Sequence, residues 1–181
     1  MQDPDPRVLA RAREGDLAAF EDIVRLYQAD VFRFAWHLMR DRTAAEDVTQ
    51  DAFIRAFRFL RSYRGDSPFS SWIMRIVRNC AMDTLRKQKS QIARHQDEHL
   101  RAGSIADPVA RAELDAALRA ITPDHREPFL LIEVFGLSYQ EAADVLGVRV
   151  GTVKSRMHRA RKAMIGALAS DDEGEEDTGG A

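Results

Sequence analysis

The stretch Leu137-Ser138-Tyr139-Gln140-Glu141-Ala142-Ala143-Asp144-Val145-Leu146-Gly147-Val148-Arg149-Val150-Gly151-Thr152-Val153-Lys154-Ser155-Arg156 spells a short helix, a tight turn and a second, basic helix. Ser138 followed by Glu141 is a capping box, in which each side chain satisfies a backbone N–H that the helix itself cannot. Gly147 supplies the backbone freedom that the turn needs. The second helix is predicted over about 150–168 and contains no carboxylate. An acid there would face the phosphates of any nucleic acid laid against it. The layout is that of a helix-turn-helix DNA reader.

At about 100° per residue the second helix separates into two faces. Val150, Val153, Met157, Ala160 and Met164 form an apolar side that should pack on the preceding helices. Ser155, His158, Arg159 and Lys162 point the other way, flanked by Lys154 and Arg156. Arg161 lies at the edge of the apolar stripe and is expected to reach the DNA backbone rather than bases. Arginine can grip guanine O6 and N7 in a bidentate fork, whereas lysine and serine more often fix register on phosphates. The bland alternative is a solvated basic helix end, which also suits a helix C-terminus.

Charge is segregated along the chain. The 181 residues carry 27 Lys and Arg against 29 Asp and Glu, a net −2, but six of the acids fall within 171–177. Without that tail the balance is +4, and residues 55–94 alone hold ten Lys and Arg against Asp66 and Asp83. Two basic blocks and one acidic tail suggest a partner that is a polyanion. The tail, 169–181, is too polar to fold by itself and is expected to be disordered. It could act as a decoy for the basic helix beside it, or only aid solubility.

No apolar run approaches the roughly 20 residues of a membrane span, so no membrane insertion is expected. The N-terminus lacks the apolar core of a signal peptide. The single Cys80 excludes an internal disulfide and fits a reducing cytoplasm. Of the five histidines only His95 and His99 share an i, i+4 spacing, and no metal or cofactor is expected. Arg64-Gly65-Asp66 reads as a turn.

The rest of the chain is predicted to be helical, giving an all-α fold. A helix over 6–14 ends at Gly15, and Asp16 caps a second that reaches about Arg40. Thr43 with Glu46 forms another capping box, opening a helix to about Arg61. Residues 63–67 form a loop, and Pro68 stands near the start of a helix to about Lys87. The polar stretch 89–109 reads as a flexible linker, although 94–99 could be helical. Beyond it, 109–120 is amphipathic, Thr122-Pro123 starts a further helix, Pro128 is placed to tighten or bend it, and Gly136 ends it. Two small helical domains result, over 1–88 and 110–168.

In the first of these, Ala45-Glu46-Asp47-Val48-Thr49-Gln50-Asp51-Ala52-Phe53-Ile54-Arg55-Ala56-Phe57 is followed by Tyr63-Arg64-Gly65-Asp66-Ser67-Pro68-Phe69-Ser70-Ser71-Trp72-Ile73-Met74-Arg75-Ile76-Val77-Arg78-Asn79. Together with Gly151-Thr152-Val153-Lys154-Ser155-Arg156 in the second, these motifs closely resemble the bacterial sigma factors of the sigma-70 family, extracytoplasmic-function group. The resemblance covers 16–88 and 110–168.

It implies a division of labour. The first domain resembles sigma region 2, which docks on core RNA polymerase and recognises and melts the −10 element. Asp47, Gln50, Asp51 and Phe53 would meet the clamp helices of the β′ subunit. Asp47 and Asp51 share one side of the helix, while Val48 and Phe53 lean elsewhere, so a solvated acidic edge beside a core stripe is the plain alternative. Arg64, Asp66, Ser67, Phe69 and Asn79 match the family's pocket region for a flipped base, and Arg75, Arg78, Arg86 and Lys87 would hold the backbone. Trp72 falls with Phe69, Ile73, Ile76 and Val77 partly on one face and is expected in the core, and Asn79 could instead make only a local hydrogen bond.

The second domain resembles sigma region 4, whose helix-turn-helix binds the −35 element as duplex. Arg149, Thr152, Lys154, Ser155, Arg156, His158, Arg159 and Lys162 form its contact set. Arg149 stands where the family often has proline. Flanking helices would touch the flap of the β subunit. The resemblance further implies control by an anti-sigma factor, a cytoplasmic location and no enzymatic activity. A rival reading, a helix-turn-helix regulator acting without stable polymerase association, explains 138–162 but leaves 45–79 unexplained.

Overall fold

A computed structural model describes residues 1–92 and 118–172, and all regular structure among them is helical. Most of the expected linker, with His95 and His99, lies outside the described residues, as do the acids after Asp172. The chain divides into two compact units, with the sequence break between the fourth and fifth helices named below.

The first unit comprises α1 (Pro6–Arg13), α2 (Leu17–Met39), α3 (Arg42–Phe59), a 3-10 turn (Leu60–Ser62) and α4 (Phe69–Ile92). Asp16 caps α2 by accepting the Ala19 N–H at 3.1 Å, and that bond, with the neighbouring Arg11 guanidinium, holds its carboxyl below the usual range. α2 supplies the central core stripe of Ile23, Tyr27, Val31 and Phe34, all buried. α3 meets it through Ala45, Val48, Ala52 and Ala56, small residues that let α2 and α4 approach closely. From α4 come Phe69, Ile73, Met74, Val77 and Ala81. Burying side chains the size of Tyr27, Phe34 and Phe69 contributes about 2 kcal/mol each.

The start of α3 differs from the expected capping box. Arg40 closes α2 in the left-handed region, φ 57°, which leaves Asp41 extended as the cap. Its side chain accepts the Ala44 N–H at 2.7 Å. Thr43 therefore lies inside the helix, and Glu46 pairs with Arg42 at 2.8 Å. α4 also runs past Lys87 to Ile92, into the segment read as linker.

The second unit contains α5 (Pro123–Phe129), a π-helical turn (Leu130–Val134), α6 (Tyr139–Leu146) and α7 (Val150–Asp172). Thr122 precedes α5 but makes no side-chain cap; its hydroxyl pairs with His125 Nδ1 at 2.9 Å instead. Pro128 lacks the N–H that regular helix would use, and two residues later the register widens, so that the Phe135 N–H reaches the Leu130 carbonyl at 3.0 Å. Gly136, φ 73°, ends the segment. Arg126 bonds the carbonyls of Leu118 at 2.7 Å and Ile121 at 2.6 Å, tying α5 to the chain before it. α7 continues beyond the expected Leu168 to Asp172, so the first two acids of the tail fall on helix.

Candidate nucleic-acid and polymerase interfaces

The helix-turn-helix forms as its local chemistry dictates. Ser138 Oγ accepts the Glu141 N–H at 3.2 Å, and a Glu141 carboxylate oxygen accepts the Ser138 N–H at 2.6 Å, closing the capping box. Gly147 ends α6 at φ 68°. The Arg149 carbonyl then accepts the N–H groups of Thr152 and Val153, at 2.9 and 3.2 Å, and starts α7. Val153, Met157 and Ala160 are buried, whereas Arg149, Lys154, Ser155, His158, Arg159 and Lys162 are exposed and Thr152 is half-buried. Between Val150 and Leu168 the helix carries no acid. Two arginines lie close to acids of the same unit. Arg156 lies 3.9 Å from Asp124, and Arg161 pairs with Glu133 at 2.6 Å, which raises its pKa further. Arg161, expected to reach the DNA backbone, is thus paired with an acid of its own unit.

On α3, Asp47, Gln50, Asp51 and Ile54 share one helical stripe. Asp47 and Gln50 are exposed. Asp51 is half-buried and bonds Arg55 at 2.9 Å, and Arg55 reaches across to Asp83 of α4 at 3.0 Å. Phe53 lies round the helix from this stripe and is half-buried. Ile54, 43% exposed, is the apolar residue centred among the polar ones. Periodicity could have singled it out, since a β-branched aliphatic stands there between Gln50 and Asp51.

α4 and the loop before it bring most of the −10 set together. Arg64 and Asp66 are exposed on a bend where Gly65 adopts φ 81°. Ser67 is half-buried, and its carbonyl accepts the Tyr63 hydroxyl at 2.6 Å, bracing the loop. Along α4, Trp72, Arg75, Ile76, Asn79, Asp83 and Arg86 fall on one stripe about 100° wide, with Lys87 at its edge. Asn79, Arg86 and Lys87 are exposed, while Arg75 and Arg78 are half-buried. The Nε of Arg75 is buried without a hydrogen-bond partner among the described residues. Arg86 bonds Asp83 at 3.0 Å.

The aromatic residues exchange their expected places. Phe69 has 0% exposure and packs on Tyr27, Tyr63 and Trp72, with ring centroids 5.2–5.6 Å apart. It cannot stack on a base without leaving the core. Trp72, expected in the core, is half-buried and lies on the same stripe as Asn79. What the sequence reading missed altogether is Asp3, whose carboxylate accepts the N–H groups of Phe69 at 3.1 Å and Ser70 at 3.0 Å. No spacing rule links residues so far apart.

Among the described residues no group of three or more His, Cys, Asp or Glu could hold a metal ion, and no helix is long and apolar enough to cross a membrane. Cys80 is buried between α3 and α4, and burial pushes its thiol up to about 12.

Comparison with known proteins agrees with both units. Residues 23–91 match the family model for Sigma-70 region 2, and residues 111–164 that for Sigma-70 region 4. The RNA polymerase sigma-H factor of Pseudomonas aeruginosa is 34% identical over 92% of this chain and 95% of its own length. The ECF RNA polymerase sigma factor SigE of Mycolicibacterium smegmatis is 34% identical over 86% of this chain and 65% of its own length. The solved structure of the Bartonella quintana sigma factor RpoE, in complex with the anti-sigma factor NepR, has a TM-score of 0.76 at 28% identity, covering 84% of this chain and 98% of that one. Two helical units that carry region 2 and region 4 in that order place this chain in the sigma-70 family of RNA polymerase sigma factors, extracytoplasmic-function type.

Proposed function

We propose that the chain is a non-enzymatic specificity subunit that joins core RNA polymerase in the cytoplasm, selects promoters through paired −10 and −35 elements and aids their melting. In this reading the Asp47, Gln50, Asp51 and Ile54 stripe of α3 docks on the β′ clamp helices, with Phe53 supporting it from the side. The 63–68 loop and the α4 stripe capture the melted −10 strand. Asn79 reads a base edge, Trp72 offers a ring to an unstacked base, and Arg64, Arg75, Arg78, Arg86 and Lys87 hold phosphates. Asp66 and Ser67 line the loop, and Phe69 fixes its shape from within the core.

α7 reads the −35 duplex with Arg149, Thr152, Lys154, Ser155, Arg156, His158, Arg159 and Lys162. Its flanks meet the β flap. Joining the two readers on one chain makes the second contact intramolecular once the first has formed, so each can be weak. The relative that is solved with an anti-sigma factor supports a partner of that kind here.

The observation that carries this reading is the exposed basic face of α7 over 150–168, a stretch without a carboxylate, on the same chain as the basic stripe of α4. Transcription by sigma-free core polymerase on fragmented genomic DNA, with 5′-end mapping, tests it. Starts that share two spaced upstream elements are expected only when the chain is added. An absence of starts alongside specific binding to palindromic duplex would favour a regulator that works without polymerase.

A further inference from the structure

We propose that the cleft between α1 and the 3-10 turn is a backbone-phosphate site, which extends the path of single-stranded DNA from the 63–68 loop onto α1. The inference rests on the reading of that loop and α4 as the single-strand binder. The cleft is open, about 310 Å³ in volume, and lined by Ala10, Arg13, Glu14 and Arg61.

Its geometry depends on Gly15, which turns the chain out of α1 at φ 101°. A Cβ at that position would stand 3.4 Å from a terminal nitrogen of Arg61, so the guanidinium lies along the glycine at the cleft wall. Neither Arg13 nor Arg61 has an ion-pair or hydrogen-bond partner among the described residues, and both are exposed.

Two guanidinium groups against the single carboxylate of Glu14 leave one uncompensated positive charge in a shared recess. A phosphate relieves that repulsion and offers oxygens in the planar geometry that guanidinium forks match. Location then selects the ligand. Arg61 precedes Tyr63 by two residues, and Tyr63 braces the loop through the Ser67 carbonyl. Burial raises the Tyr63 pKa, and Arg13 is near enough for its charge to offset part of that rise. The cleft thus lies on the chain just before the loop that carries Arg64 and Asp66. A strand bound by its bases at that loop would present its neighbouring phosphates to Arg61 and Arg13, so a nucleic-acid backbone suits the cleft better than an acidic peptide.

The test uses the full chain and a fluorescein-labelled single-stranded DNA of random sequence, titrated by anisotropy across a series of KCl concentrations. The double variant Arg13→Gln with Arg61→Gln should weaken binding about tenfold at low salt and flatten the slope of log K against log salt by about 0.7, the loss of one phosphate contact. Glu14→Gln should tighten binding, an opposite sign that simple damage to the fold would not produce. Arg64→Gln and Lys87→Gln report separately on the loop and α4. If these two weaken binding while the cleft variants titrate like the native chain, the cleft is not on the DNA path and the inference is overturned, leaving a protein partner as its occupant. If none of the variants changes binding, the single-strand reading of the loop and α4 fails, and the inference fails with it.

Discussion

The carboxylate of Asp3 caps α4 at Ser70, accepting the Ser70 N–H at 3.0 Å through Oδ1 and the adjacent Phe69 N–H at 3.1 Å through Oδ2. A helix leaves its first N–H groups unsatisfied, and a nearby side chain normally meets that need. Here the cap comes from the other end of the domain. The arrangement is secured a second time where the Tyr27 hydroxyl donates to the Gln2 carbonyl at 2.8 Å. The N-terminal residues thus hold down the helix start from which Trp72, Arg75 and Asn79 project.

Asp3→Ala should therefore lower unfolding free energy by about 1–2 kcal/mol, the usual cost of losing a cap. Asp3→Asn, which keeps an acceptor, should lose less. Urea unfolding of the full chain measures both. The same Asp3→Ala chain should bind single-stranded −10 DNA more weakly while its affinity for −35 duplex is unchanged. Equal losses on both DNAs would show that the cap acts on the whole protein and not on the α4 reader.

What could be read from the sequence tracks how local the determining interaction is. Ser138 and Glu141 satisfy each other within one helical turn, so their capping box and the turn at Gly147 were legible. At the start of α3 the capping box read at Thr43 and Glu46 does not form. The outcome depended on Arg40 turning left-handed, which leaves Asp41 and not Thr43 extended. Asp3 was not legible because its partners are remote in sequence. Phe69 and Trp72 were exchanged for a related reason. Both suit a helix start beside a loop, and only the cluster of Tyr27 and Tyr63 decides which ring is enclosed. Likewise the pairing of Arg161 required Glu133, which lies on the π-helical turn and meets α7 only in the folded unit.

Cys80 supplies a pH dependence whose sign is fixed. Burial raises its pKa from 9.0 to about 12, opposed by the nearby Arg55 charge. A thiol that ionises later in the folded state than in the unfolded one leaves stability intact below the unfolded value. Above pH 9 the unfolded chain releases a proton that the folded chain keeps, and stability falls by about 1.4 kcal/mol per pH unit until the folded thiol ionises. Denaturant titrations between neutral and alkaline pH should show this decline, and Cys80→Ala should lessen it up to the range where Tyr27 and Tyr63, also raised by burial, begin to contribute. Near neutral pH the thiol should react with alkylating reagents only as fast as the domain opens.

On α3, exposure separates docking from folding. Gln50→Ala and Ile54→Arg alter exposed side chains of the stripe, so each should leave the urea midpoint nearly unchanged. Each should weaken binding to core polymerase by about tenfold, which corresponds to about 1.4 kcal/mol. Arg55→Ala should do the reverse. It breaks the bridge from Asp51 to Asp83 and should cost stability first. Anisotropy of the labelled chain against core polymerase, paired with urea melts, distinguishes the two behaviours. A loss of polymerase affinity confined to Arg55→Ala would move the docking surface off this stripe.

On α7 the test is whether exposed bases and engaged ones divide by role. Arg159 and Lys154 are exposed and free of ion pairs among the described residues, whereas Arg161 is held by Glu133. Arg159→Ala should cost about 1–3 kcal/mol on the preferred −35 duplex and relax preference at one base position, the signature of a lost base contact. Lys154→Ala should weaken all duplexes alike and reduce the salt slope by about 0.9, the signature of a lost phosphate contact. Arg161→Ala should leave the sequence preference and the salt slope alone while lowering stability by less than about 1 kcal/mol, because the pair it breaks is half exposed. If Arg161→Ala instead shallows the salt slope as Lys154→Ala does, Glu133 must release it on binding, and Arg161 joins the phosphate contacts.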